Sequence, residues 1–206
     1  MEEGGYSLAE IKYSAALTGE PFLFYESRQV ARLKLSGRNR QQIREEIKSQ
    51  NLFQYATEKS LAKRINAVQK RVDILDETLL RFLAEKPAAT AKIINLYAIM
   101  NTNKLMLDFM IEVIGEKFEQ DYLVLEKRDL NEFFAAKREQ QENVARWSDE
   151  TVAKLKRVLP RIIFEAGIMV DRDTGILQRL TLDQDVEKYF RDHGEIEFLK
   201  ALGTRV

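Results

Sequence analysis

Apolar residues recur every three to four positions over most of this 206-residue chain, and only three prolines and nine glycines interrupt the pattern. Successive helical side chains turn by about 100°, so positions spaced in this way share one face. The period predicts helices at about 21–36, 40–49, 57–84, 88–100, 103–119, 129–144, 149–166 and 182–193, with a short one near 195–202. The punctuation agrees with several of these. Gly37 follows Ser36 as a glycine beyond a helix end, Thr57 and Ser148 are N-cap types, and Gly167 and Gly194 close their helices. Pro160 lacks a backbone donor and predicts a kink or local break inside the 149–166 helix.

Two places read as extended chain. Tyr122-Leu-Val-Leu125 is short and apolar, while Ile168-Met-Val170 and Ile176-Leu-Gln-Arg-Leu180 flank the turn-rich Asp171-Arg-Asp-Thr-Gly175, which predicts a small hairpin. The expected fold class is all-α: a multi-helix globule forming one domain over residues 1–206, with at most a short β-hairpin near 168–180. The most apolar stretch, Ile93 to Ile114, carries Asn95, Asn101, Asn103, Lys104, Asp108 and Glu112. That is too much polarity for a membrane span and predicts two buried helices separated by an Asn-Thr-Asn turn at 101–103.

A content of 45% apolar and 32% charged residues is that of a soluble globular protein. The absence of cysteine excludes disulfides, thiolate metal sites and a cysteine nucleophile, and fits a reducing, cytoplasmic setting. The N-terminus, MEEGGYSLAE, is acidic and polar and reads as no secretion signal.

Charge changes the picture more than composition does. The formal net charge is zero, yet Arg28 to Arg71 holds twelve basic residues against Glu45, Glu46 and Glu58, so 12 − 3 = +9 and the remainder sums to −9. A cationic stretch in a neutral protein points to a polyanionic partner, nucleic acid first among them. Within the helix after Thr57, Lys59, Lys63, Asn66 and Lys70 fall in a sector of about 60°, opposite Leu61, Ile65, Val68, Val72 and Leu75. Arg64 and Arg71 lie between the two faces and join the row, with Arg38 and Arg40, as expected DNA contacts. Between Lys59 and Arg71 there is no acid, whereas a merely solvated face interleaves Glu and Lys. The short helix before it carries Ile43 and Ile47 inward, with Arg38 and Arg40 at its start. The order matches a helix-turn-helix unit over about 38–84, with a connection longer than usual. The lysines would contact phosphates, and Asn66 could pair bidentately with an adenine edge.

A second unit, over about 129–180, follows the same plan. Ser148-Asp-Glu-Thr151 opens a helix whose buried face is Val152, Leu155, Leu159, Ile162, Ile163 and Ala166. Lys154, Arg157 and Arg161 lie opposite, although Glu150 and Glu165 share that polar face and weaken the signal. The hairpin would sit where a wing does in winged variants. Trp147, at the junction, could stack on a base, but reads better as a core plug.

Catalytic motifs are missing. His193, the only histidine, stands before Gly194 at a helix end and reads as a cap. No phosphate-binding glycine loop, nucleophile elbow or zinc ligand set occurs, and the Asp171–Gly175 segment lacks the later ligands of a calcium loop. The expectation is a non-enzyme with no cofactor and no metal.

Several segments carry a resemblance. Tyr13-Ser-Ala-Ala-Leu17 with Pro21-Phe22, Asn51-Leu-Phe53, Thr90-Ala-Lys-Ile-Ile-Asn-Leu-Tyr-Ala-Ile-Met100, and Lys137-Arg-Glu-Gln-Gln141 leading to Trp147-Ser-Asp-Glu-Thr151 together resemble the BrxA family, a small core component of the BREX bacteriophage-exclusion systems. The likeness runs from about Tyr13 to Gly167, and the Thr90–Met100 and Trp147 blocks are its specific parts. It implies a monomeric, all-α protein that binds double-stranded DNA through two helix-turn-helix motifs and works with a BREX methyltransferase, an ATPase and other partners. It names no contact residues. Two rivals stay open on the residues alone: an assembly adaptor whose basic face docks an acidic protein, and a helical RNA-binding module. The narrow major groove of A-form RNA suits these helices less well.

Overall fold

The amphipathic stripes become helices that bury their apolar faces. The computed structural model describes residues 11–205, so the acidic N-terminal segment read as lacking a signal lies outside the described residues. The chain divides into two compact units. Phe22–Thr102 belongs to the first, and Ile11–Pro21 joins Asn103 onward in the second.

The first unit holds α1 (Phe24–Leu35), α2 (Arg40–Ser49), α3 (Glu58–Asp73), α4 (Glu77–Glu85) and α5 (Ala88–Met100). α5 is apolar on nearly every face, and Ala91, Ile93, Ile94, Leu96, Ala98, Ile99 and Met100 are all buried. A helix of this kind has to be central, because each fully buried large side chain contributes about 1.5–3 kcal/mol. α1, α3 and α4 pack on it, and α2 lies against α1 and α3. α2 begins at a capping box in which Asn39 accepts from the Gln42 amide and Gln42 accepts from the Asn39 amide. Thr57 caps α3 as expected, accepting from the Ser60 amide at 3.3 Å.

One expected helix, 57–84, is two. Asp76 takes the Leu79 amide at 2.8 Å and starts α4 anew, while Leu75 turns inward at 4% exposure. A short carboxylate competes with the helical ladder for backbone donors, and here it wins.

The second unit opens with a 3-10 turn (Ala15–Thr18) and continues through α6 (Lys104–Asp108), a π-helical stretch (Phe109–Gly115), α7 (Glu116–Glu119), α8 (Lys127–Gln140), α9 (Glu142–Ala145), α10 (Asp149–Ala166), α11 (Gln184–Asp192) and α12 (Ile196–Ala201). The turn at 101–103 separates α5 from α6 as expected, with Asn103 accepting from the Met106 amide. The expected 129–144 helix is interrupted at Gln141, whose backbone is extended (φ −132°, ψ 109°) between α8 and α9. α10 runs unbroken through Pro160, where a kink or break had been expected. Gly167 closes it at φ +90°. His193 caps α11 as expected, with its ring 4.0 Å from Tyr189 and Nδ1 2.8 Å from the Tyr189 carbonyl.

The two extended segments meet. Val170 donates to Ile176 and Gln178 to Ile168, closing the hairpin, while Leu125 donates to Gly175 and Leu177 to Leu123 on its other side. Among the described residues these pairings register only as isolated bridges, Val124 with Ile176 and Met169 with Leu177, so the fold is all-α. Gly175 is obligatory: its φ is +72°, and a Cβ would stand 2.2 Å from the Leu125 carbonyl oxygen.

A buried ionic cluster fastens the entering segment to this unit. Tyr13 donates to Asp108 from 95 residues away, and Asp108 also pairs with Lys104 (2.7 Å) and Lys137 (2.9 Å). Lys137 further reaches Glu112 at 2.6 Å. Burial alone would raise the Asp108 carboxyl, yet hydrogen bonds from Lys104, Tyr13 and Lys137 hold it below the ordinary range. Burial, then the bond to Asp108, pushes the Tyr13 phenol up to about 12. The Asn103 side chain donates to the Ser14 carbonyl and Asn143 to the Tyr13 carbonyl.

Candidate nucleic-acid interface

α3 presents the cationic row because its opposite side is needed for the core. Leu61, Ile65, Val68 and Val72 are buried, which forces Lys59, Lys63, Asn66 and Lys70 outward, and all four are exposed. Among the described residues Lys59 and Lys63 make no hydrogen bond or ion pair. Lys70 reaches only the Thr102 carbonyl, at 3.2 Å. Among the described residues no carboxylate pairs with the row.

The remaining cations of the first unit divide otherwise. Arg71, expected between the faces, is 4% exposed and donates to the Phe22 carbonyl at 3.2 Å. It is therefore a corrected assignment: its guanidinium holds the start of the fold together and cannot reach a ligand. Arg64 stacks over Tyr55 at 5.4 Å, and Tyr55 in turn donates to Glu26 at 2.7 Å. Arg38 pairs with Glu46, and Arg40 with Asp73 at 2.8 Å. Both partners lie on neighbouring turns or helices, so these arginines are partly neutralised. α2 is clamped to α3 by Arg40, by the Gln69 side chain donating to the Arg40 carbonyl at 2.7 Å, and by Arg44 donating to the Asn66 carboxamide oxygen. Arg44 was absent from the residues singled out in the sequence, as was the exposed Lys48 one turn further along α2. Their place within the +9 stretch was the available signal.

The ridge on α10 is of a different kind. Lys154 pairs with Glu150 at 2.7 Å and holds that carboxyl below its ordinary range, and Arg161 pairs with Glu165 at 2.6 Å. Arg157 alone is exposed without an ion pair or hydrogen bond among the described residues. Trp147 is half-buried, and its carbonyl accepts from Arg138 at 3.1 Å. The two ridges sit in units of opposite charge. Residues 22–102 hold 15 basic and 8 acidic side chains (15 − 8 = +7), and residues 103–205 hold 17 and 21 (17 − 21 = −4).

The sequence model of BrxA matches residues 11–194, nearly the whole described chain, with α3 and α10 inside the match. The chain belongs to the BrxA family. The match continues past Gly167, where the resemblance read from motifs stopped, and takes in the hairpin and α11. A Bacillus cereus relative, named BREX protein BrxA, is 36% identical over 191 residues, covering 92% of this chain and 96% of the relative. Relatives of the same name from Escherichia coli and Paramagnetospirillum magneticum are 26% and 23% identical, over 90% and 97% of this chain and 87% and 100% of theirs. A crystal structure of an uncharacterized protein from Magnetospirillum magneticum shares the fold, with a TM-score of 0.78 at 22% identity, covering 92% of this chain and 97% of that one. Among the described residues no helix is long and apolar enough to cross a membrane.

Proposed function

We propose that this chain is a double-stranded-DNA-binding component of a BREX phage-defence system, gripping the duplex chiefly through phosphate contacts from α3. The observation that carries the reading is the row of Lys59, Lys63 and Lys70: exposed, aligned, and with no carboxylate paired to any of them among the described residues. α2 and α3 act as the helix-turn-helix-like unit, joined by residues 50–57, and α3 lies along the major groove. The α10 ridge contributes less, through Arg157, because its other two cations are answered on their own helix. The protein works as a cytoplasmic monomer beside the methyltransferase and ATPase of its system, and the chain itself carries no catalysis.

Affinity for a duplex then falls linearly with the logarithm of salt, with a slope of about −0.9 per neutralised phosphate. Changing Lys59, Lys63 and Lys70 together to Ala flattens that slope by about one unit per lost contact, read by fluorescence anisotropy across a salt series. Equal slopes for wild type and variant would refute the assignment. A protein partner that survives nuclease treatment on the wild type, and is lost with the same triple change, would assign the face to protein docking instead.

A further inference from the structure

The clamp between Arg44 and Asn66 bears on what α3 can read in a groove. Asn66 is the sole member of the exposed row with both a donor and an acceptor, and its acceptor oxygen is engaged by the Arg44 guanidinium reaching across from α2. An arginine side chain has five N–H donors and no acceptor, so the partner atom on Asn66 has to be the oxygen. The carboxamide is thereby locked in one orientation, oxygen toward α2 and NH2 away from it. Arg44 is half-buried in turn, on a helix tethered to α3 by Gln69 and by the Arg40–Asp73 pair, so the lock sits on a braced support.

Adenine readout by asparagine needs both ends of the amide at once: the oxygen accepts from the N6 amino group while the nitrogen donates to N7. Beside a guanidinium, an incoming N6 amino group would meet a second set of donors and a positive charge at the same oxygen. The oxygen keeps a second lone pair, but the positive charge beside it disfavours a further donor, and the NH2 is the end left open to DNA. Across the sector formed by Lys59, Lys63, Asn66 and Lys70, every polar group then offers hydrogen rather than a lone pair. Such a surface suits phosphate oxygens of any sequence.

We infer that Arg44 is a positioning residue that commits Asn66 to donating, so that the α3 face holds duplex DNA without selecting adenine. This rests on the duplex-DNA reading above. The test measures sequence preference rather than affinity alone, using duplexes of equal length and charge. One is G/C-only, and the others carry single A·T pairs stepped along it, alongside a randomised duplex pool sequenced before and after selection. Wild type binds all of them within about two-fold and enriches no position. Arg44→Ala frees the Asn66 oxygen and brings out a preference for adenine at one position on the order of ten-fold, the discrimination of a good bidentate pair. Arg44→Lys, which still donates, restores indifference, and Asn66→Ala in the Arg44→Ala background abolishes the new preference. An adenine preference in wild type that Asn66→Ala removes would overturn the inference, as would an Arg44→Ala variant as indifferent as wild type. Failure of wild type to bind any duplex would instead sink the underlying DNA reading.

Discussion

Replacing Asp108 by Ala should unsettle the second unit more than any surface change. Its carboxylate is 6% exposed and is the common partner of Tyr13, Lys104 and Lys137. Removing one side of a buried ion pair costs about 3–5 kcal/mol, because the other charge is left in a poor solvent. Lys137 is only 3% exposed but keeps Glu112, itself 48% exposed, so the lower end applies: about 3 kcal/mol. For a chain of this length each kcal/mol moves the midpoint by about 2–4 °C, giving a drop of about 6–12 °C. Trp147, the single tryptophan, lies in the same unit, so its fluorescence in a urea titration reports the loss directly. Adding Lys137→Met to an Asp108→Leu change should recover part of the stability, since a buried pair exchanged for apolar groups is often neutral. An Asp108→Ala midpoint indistinguishable from wild type would refute the idea that this cluster holds the unit together.

The same cluster sets two pH limits. Asp108 is held below its ordinary range when folded, so its contribution is present at neutral pH and lost as pH falls through that lowered value. The Tyr13 phenol is raised from 10.0 to about 12, so its contribution is full below pH 10 and fades between pH 10 and 12; Tyr13→Phe should remove that alkaline arm from a stability–pH profile. Arg71→Ala should lower stability by about 1.5–3 kcal/mol, the value of a hydrogen bond to a charged donor, while leaving the salt slope of DNA binding unchanged; a flattened slope would return Arg71 to the interface. Gly175→Ala should cost more than about 1 kcal/mol in thermal unfolding, because it combines a left-handed backbone with a Cβ against the Leu125 carbonyl. A neutral outcome would mean that the ribbon adjusts.

Local rules were readable in advance, and distant ones were not. Thr57, Ser148 and Gly167 act where a cap can be recognised from a few neighbouring residues, and the stripe of Leu61, Ile65, Val68 and Val72 settles which way α3 faces. The pairing of Lys154 with Glu150 and of Arg161 with Glu165 was visible too, since those partners sit one turn apart. By contrast, Arg40 finds Asp73 33 residues away, Arg44 finds Asn66 22 away, and Arg71 finds Phe22 49 away. Nothing in a periodic pattern announces such partners.

The order of residues by itself determined that the chain is helical, which faces are apolar, and that cations gather in its first half. Those properties follow from side-chain spacing and from charges that need no partner to be counted. Only the tertiary structure decided which cations stay available. Electrostatic and hydrogen-bond partners are chosen by proximity in space, so twelve basic residues in one stretch become buried struts, paired arginines and one open row on α3.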